Sequence, residues 1–358
     1  MPEKTIFING RFLAQKITGV QRYAREVTRA LGDIAPGSDI RLLAPRSVGD
    51  SFPEPAKIPI ERVGRFSGHL WEQLELPFYS RGGILLNLCN PAPLFRHDQV
   101  SLMHDVIVFA VPDSTSFIFR AWHRTIFKNV SARARFIVTD SEFSRGEIIK
   151  YLGTSPDKIR VIYAGCDHMQ RMRRDDSVLE RHGLGGRPFL FAVSSLNPNK
   201  NFSSVIRAME KIGRPDFDLV IAGGVNPAVF SQDRADFPPH VKYLGYVSDA
   251  ELKSLYSAAS CFIYPSFYEG FGLPPLEAMT SGAPVIASQV ASLPEVCGEA
   301  ARYVNPNSVD DIANAIREVM GSPALRERLK SAGADRSRKF TWESTARLLH
   351  EVCLEAAS

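Results

Sequence analysis

A chain of 358 residues has the length of two ordinary domains, and its 44% hydrophobic and 23% charged content is that of a folded chain with sizeable cores, which excludes a lone small module and global disorder. Its formal net charge of +4, from 43 basic and 39 acidic side chains, is too small to make nucleic acid the default partner. The surplus is uneven: residues 1–170 hold 22 basic and 17 acidic side chains, so an anionic partner is expected to prefer the first half.

Short β-branched and aromatic runs recur at Thr5–Asn9, Asp39–Ala44, Ile84–Cys89, Val100–His104, Arg135–Thr139 and Arg160–Tyr163. With amphipathic stretches between them, they read as buried parallel strands. The charged stretch His168–Pro188 interrupts the rhythm and is expected to be the seam. Strand-like runs resume at Phe189–Ser194, Leu219–Ala222, Val241–Leu244, Cys261–Tyr264, Val285–Ala287 and Arg302–Val304. The pattern predicts two successive doubly wound α/β domains. Ser248 and Glu251 form a capping-box signature, and Pro275 stands where a helix is expected to begin, with Gly282 closing it.

Cys89, Cys166, Cys261, Cys297 and Cys353 lie far apart, with no C-x-x-C pair, so neither a disulfide framework nor a zinc cluster is expected. No signal peptide and no spanning helix are expected, and a reducing cytosol fits best.

The densest group of unusual residues runs from Tyr264 to Met279. A strand enters a glycine loop, and the loop opens a helix. Gly270 and Gly272 would expose backbone N–H groups beside a helix N-terminus, an anion site suited to a diphosphate. Two carboxylates in such a site require hydroxyl partners. Glu277, expected in the first helical turn, can accept from a ribose diol, and Glu269, ahead of the loop, from hydroxyls of a sugar whose anomeric carbon gains positive charge. The simpler alternative is that Glu277 complements the helix dipole and the glycines make a tight turn.

The spacing from Glu269 to Glu277 resembles the E-x(7)-E pattern of glycosyltransferase family 4, the retaining enzymes of GT-B fold. Further segments are similar to that family in the same order: Thr18–Tyr23, His104–Asp105, Asp140–Arg145, Ser194–Asn201 and Leu293–Val296. The resemblance implies two Rossmann-like domains facing a central cleft, residues 1–168 for the acceptor and 169–341 for a nucleotide sugar. A final helix, 342–355, would cross back onto the first domain. It implies that Gly19 lets the backbone approach the donor phosphates, and that His104 and Glu269 are catalytic, lying at the sugar. Lys200 would pair with the diphosphate, Gly270, Phe271, Gly272 and Leu273 would supply the amide loop, and Glu277 would take the ribose. Tyr246 and Val247 are expected by position to border the base. Many members carry Arg where this chain has Ser195, so one phosphate cation is missing and Ser195 is left to hydrogen-bond a phosphate oxygen.

No cofactor and no metal are expected. Asp216-Phe217-Asp218 spells D-x-D but precedes a strand, at the sheet end away from ligands. Neither G-x-G-x-x-G after the first strand nor G-x-x-x-x-G-K-[ST] is present, which disfavours nicotinamide chemistry and triphosphate hydrolysis. On the acceptor side, Phe117–Arg135 joins aromatic residues to Arg120, Arg124, Lys128, Arg133 and Arg135 without an acid. It reads as a helix packing Phe119, Trp122, Ile126 and Val130 on its own domain, with a basic face suited to anionic lipid. Trp71-Glu72-Gln73 resembles a segment of polysaccharide mannosyltransferases, which makes Glu72 a candidate acceptor contact. The expected activity is retaining transfer of a sugar, mannose from GDP-mannose before a UDP-sugar, to a glycan or lipid-diphosphate-linked acceptor of surface polysaccharide. An epimerase or a silent nucleotide-sugar-binding protein are the alternatives. The expected location is cytoplasmic, at the inner face of the membrane.

Overall fold

The computed structural model describes residues 4–49, 57–111, 116–193, 197–224 and 240–358. The chain forms two compact units, one of Met1–Gly165 with Thr341–Ser358, the other of Cys166–Phe340. The division falls slightly ahead of the expected 168 and 341, because the chain joins the second unit as soon as it leaves Gly165. The Cys166 N–H donates to Phe340 O (3.0 Å), and His168 packs against Glu277 inside that unit.

Among the described residues the first unit carries seven parallel strands: β1 (Ile6–Asn9), β2 (Ile40–Pro45), β3 (Ile60–Val63), β4 (Ile84–Asn87), β5 (Gln99–Leu102), β6 (Phe136–Thr139) and β7 (Ile159–Val161). Their order is β3-β2-β1-β4-β5-β6-β7, so the direction of winding reverses between β1 and β4. β1, β4 and β5 are buried along their whole length, as strands covered on both faces must be. β3 was not expected. It is the partly exposed edge of the sheet, and its charged Glu61 and Arg62 hide the apolar run.

The second unit has six parallel strands among the described residues: β8 (Phe189–Val193), β9 (Asp218–Ala222), β10 (Val241–Gly245), β11 (Cys261–Tyr264), β12 (Val285–Ser288) and β13 (Ala301–Val304). Their order, β10-β9-β8-β11-β12-β13, reverses between β8 and β11. Leu190, Leu219, Ile221, Ile263 and Ile286 build its core with Val205 and Met209 of the helix Phe202–Ile212. The capping box forms as expected: Ser248 Oγ accepts from Glu251 N (3.3 Å), and Glu251 Oε2 from Ser248 N (2.7 Å).

The last helix, Trp342–Ala357, belongs to the first unit. It lies on the helix Gly19–Ile34, with Trp342 buried edge-on to Tyr23 at 5.4 Å. The helix Phe117–Arg133 buries His123, Ile126, Phe127 and Val130. Phe119 was expected in that packing and is instead 46% exposed, its ring stacked on that of His123 at 3.7 Å. All five cysteines are free thiols, and burial pushes Cys166, Cys297 and Cys353 up to about 12. Among the described residues no helix is long and apolar enough to cross a membrane.

Candidate functional site

In an open parallel sheet, ligands sit beyond the carboxyl ends of the strands where the winding reverses. In the second unit that place lies between β8 and β11, and the loops after these two strands are bound into one body. Asn197 caps the short turn Pro198–Lys200 by accepting from Asn199 N at 3.0 Å. Asn199 donates from Nδ2 to Tyr268 O (2.6 Å), and Phe267 N donates back to Asn199 O (2.9 Å). Asn201 sits at φ +59°, a left-handed conformation that asparagine tolerates, and donates to Pro265 O (3.1 Å) and Pro306 O (2.8 Å).

This double clasp aims Lys200 across the gap. Its Nζ lies 2.6 Å from Glu269 Oε1 and 2.9 Å from Tyr264 Oη. Burial works against the lysine charge, but the Glu269 carboxylate and Tyr264 outweigh it, and the ammonium is held above its ordinary pKa. Burial, with the Glu269 charge, likewise raises Tyr264. Two of the three ammonium donors are used in this arrangement, which leaves the third for an incoming anion.

Glu269 leads into the glycine loop. The Ser292 hydroxyl lies 2.6 Å from Phe271 O and 3.0 Å from Glu269 O, tying both carbonyls back. Gly272 caps the helix Leu273–Thr280 at φ +108°, a left-handed conformation that favours glycine, and a Cβ there would also press on Leu293 Cδ2 at 2.6 Å. Pro274 and Pro275 carry no N–H, so amides for an anion must come from Gly270 to Leu273.

Glu277 was expected in the first helical turn and stands one turn later, its carboxylate turned inward. It is buried, with Oε1 3.1 Å from His168 Nε2 and Oε2 accepting from Tyr256 Oη at 3.3 Å. A carboxylate oxygen accepts more than one hydrogen bond, so these partners orient the group for a diol without consuming it. Sequence reasoning passed over His168, Tyr256 and Ser292, whose side chains meet the site only through the fold. Tyr246, 82% exposed, and the half-buried Val247 follow the edge strand β10 at its carboxyl end. Ser195 lies outside the described residues.

The remaining site candidates belong to the first unit. Gly19 opens the helix Gly19–Ile34, and a Cβ there would meet no atom within 4 Å. His104 is buried, with Nδ1 2.5 Å from Asp140 Oδ2, Nε2 3.2 Å from Leu88 O, and its ring edge-on to Tyr23 at 4.9 Å. Burial lowers its pKa, yet the Asp140 carboxylate prevails and the imidazole is held above its ordinary value. Burial, with the Asp140 charge, raises Tyr23 well above its own.

Asp218 of the D-x-D sequence stands at the amino end of β9, paired with Arg187 (3.2 Å) and Lys242 (3.0 Å). Among the described residues no three His, Cys, Asp or Glu side chains gather as a metal site would require.

Two Rossmann-like units, the second with a lysine, a glycine loop and two carboxylates at its switch point, are the architecture of a GT-B glycosyltransferase. Residues 177–336 match the family model of glycosyl transferases group 1. O-antigen chain mannosyltransferase B of Escherichia coli is 34% identical over 365 residues, covering 92% of this chain and 93% of that protein. Among solved structures, sucrose-phosphate synthase from Thermosynechococcus elongatus has a TM-score of 0.77 at 19% identity, covering 99% of both chains. Anabaena HepE in complex with UDP and glucose has a TM-score of 0.73 at 18% identity, covering 98% of this chain and 99% of that one. The chain belongs to the group 1 glycosyl transferases.

Proposed function

We propose that this glycosyltransferase moves mannose from GDP-mannose to a glycan or lipid-diphosphate-linked acceptor in O-antigen assembly, with retention at the anomeric carbon. The observation that carries the reading is the Lys200–Glu269–Tyr264 group at the reversal between β8 and β11. There Lys200 and the amides from Gly270 to Leu273 take the diphosphate, Glu269 the sugar and Glu277 the ribose, with Tyr246 and Val247 beside the base. Gly19, where no protein atom would oppose a side chain, gives donor phosphates close access to backbone. His104 acts at the sugar, its imidazole held by Asp140. No metal or cofactor is required in this scheme. Mannose is favoured by the name of the Escherichia coli relative. A UDP-sugar is the second reading, favoured by the UDP and glucose bound to HepE.

A thermal-shift series separates the two. At a hundred times its dissociation constant the true donor is expected to add about 2.7 kcal/mol of stability. GDP-mannose is expected to raise the melting temperature at concentrations where UDP-glucose does not. The opposite ranking would replace the donor assignment.

The first unit is also proposed to rest on anionic membrane at the cytoplasmic face. The helix Phe117–Arg133 exposes Phe117 (74%) and Ile118 (81%) beside Arg120, and its sequence contains no acid. Apolar side chains flanked by cations suit a lipid surface. Phe117→Glu with Ile118→Glu is expected to abolish flotation with phosphatidylglycerol vesicles. Wild-type flotation equal to that with phosphatidylcholine vesicles would remove the proposal.

A further inference from the structure

The winding of the first sheet reverses between β1 and β4, and the crevice at their carboxyl ends holds a polar cluster that the donor scheme does not use. Asn9, the last residue of β1, donates from Nδ2 to Oδ1 of Asn87, the last residue of β4, at 3.0 Å. The same Nδ2 lies 3.0 Å from Glu72 Oε1. Glu72 is fully buried in the π-helical turn Trp71–Glu75, a rare geometry that recurs at functional sites. Its Oε2 accepts from an Arg11 guanidinium nitrogen at 2.9 Å and lies 3.2 Å from His69 Nδ1. The other terminal nitrogen of Arg11 lies 3.3 Å from His69 Nε2.

A guanidinium only donates, so its contact casts Nε2 of His69 as the acceptor and Nδ1 as the donor to Glu72. The ring is oriented by a buried carboxylate, and the side chain is 40% exposed. Carboxylate-oriented imidazoles of this kind present their outer nitrogen to hydroxyl groups. The Trp122 ring stands edge-on to His69 at 5.6 Å, and its indole N–H is buried without a partner among the described residues.

We propose that His69 and Arg11 bind a hydroxyl of the acceptor glycan. The hydroxyl enters between them, accepting from the guanidinium and donating to Nε2, and so replaces their direct contact. Glu72 is the positioning residue. The charges of Arg11 and Glu72 cancel, which suits a neutral sugar hydroxyl better than a phosphate. The inference rests on the transferase reading and names the acceptor subsite of that enzyme.

The test is a titration of the full chain, labelled with ¹⁵N-histidine, with methyl α-D-mannopyranoside, alongside the donor melting series. The Nε2 resonance of His69 is expected to move as mannoside is added. His69→Ala is expected to weaken mannoside binding about fivefold, the loss of roughly one neutral hydrogen bond, with the GDP-mannose melting shift unchanged. His69→Gln, which returns an acceptor atom, is expected to recover part of the affinity. An Nε2 resonance unmoved up to about 100 mM mannoside, where even millimolar binding saturates, overturns the inference while an intact donor shift leaves the transferase reading standing. Movement with inorganic phosphate alone overturns the hydroxyl assignment. If no nucleotide sugar stabilises the chain, the transferase reading falls and this inference with it.

Discussion

Lys200→Ala is expected to lower sugar transfer by about 100-fold or more, the scale of losing one preorganised group that stabilises developing charge. The loss should fall on turnover as well as on donor binding, because leaving-group charge is greatest in the transition state. Glu269→Ala is expected to be as damaging for a second reason. The pair is largely enclosed, with side chains 19% and 12% exposed and 2.6 Å apart, so deleting the acid strands an ammonium whose remaining contact among the described residues is Tyr264. Breaking such a pair costs about 3 kcal/mol of stability. The double variant should be less destabilised than the sum of the single ones, since it leaves no unpaired charge. Urea melts and initial rates on the four proteins supply the comparison. Single variants that keep wild-type rates would show that this pair is not the catalytic centre.

Gly165→Ala is the second change with a large expected effect. A Cβ at this position would lie 2.3 Å from Trp342 N and 2.7 Å from Thr341 C and Trp342 Cγ, mostly backbone that has nowhere to retreat. Overpacking of this kind costs about 3 kcal/mol, or roughly 8 °C in a unit of this size. The displacement would reach the site as well, because Trp342 rests on Tyr23 and Tyr23 on His104. Trp71, Trp122 and Trp342 all belong to the first unit, so tryptophan fluorescence reports its melting alone. The fluorescence midpoint is expected to fall, with transfer, while the nucleotide binding proposed for Lys200 and Glu277 persists. An unchanged midpoint would mean that the last helix is not seated as described.

Most of the strands were legible as buried β-branched runs because burial on both faces leaves little room for polar residues. β3 was not, since an edge strand tolerates Glu61 and Arg62. The order of Gly19, His104, Lys200, Glu269 and Glu277 along the chain carried the site, and the structure brings Lys200 and Glu269 into contact. Their supports were invisible for a physical reason. His168 and Glu277 are 109 residues apart, and nothing local to either announces the other. Glu277 falls beyond the first turn because the helix begins at Leu273, ahead of Pro275, where it was expected to begin. His69 was overlooked because its role arises from its contact with Arg11, 58 residues away, which no spacing encodes.

The return of Thr341–Ser358 to the first unit bears on how the protein is made. A ribosome delivers the seven strands of that unit first, but the helix that covers Tyr23 emerges only after the whole second unit has been synthesised. Until then the groove on the helix Gly19–Ile34 lies bare, so nascent chains halted before residue 341 should attract holding chaperones, and full-length release should end that association.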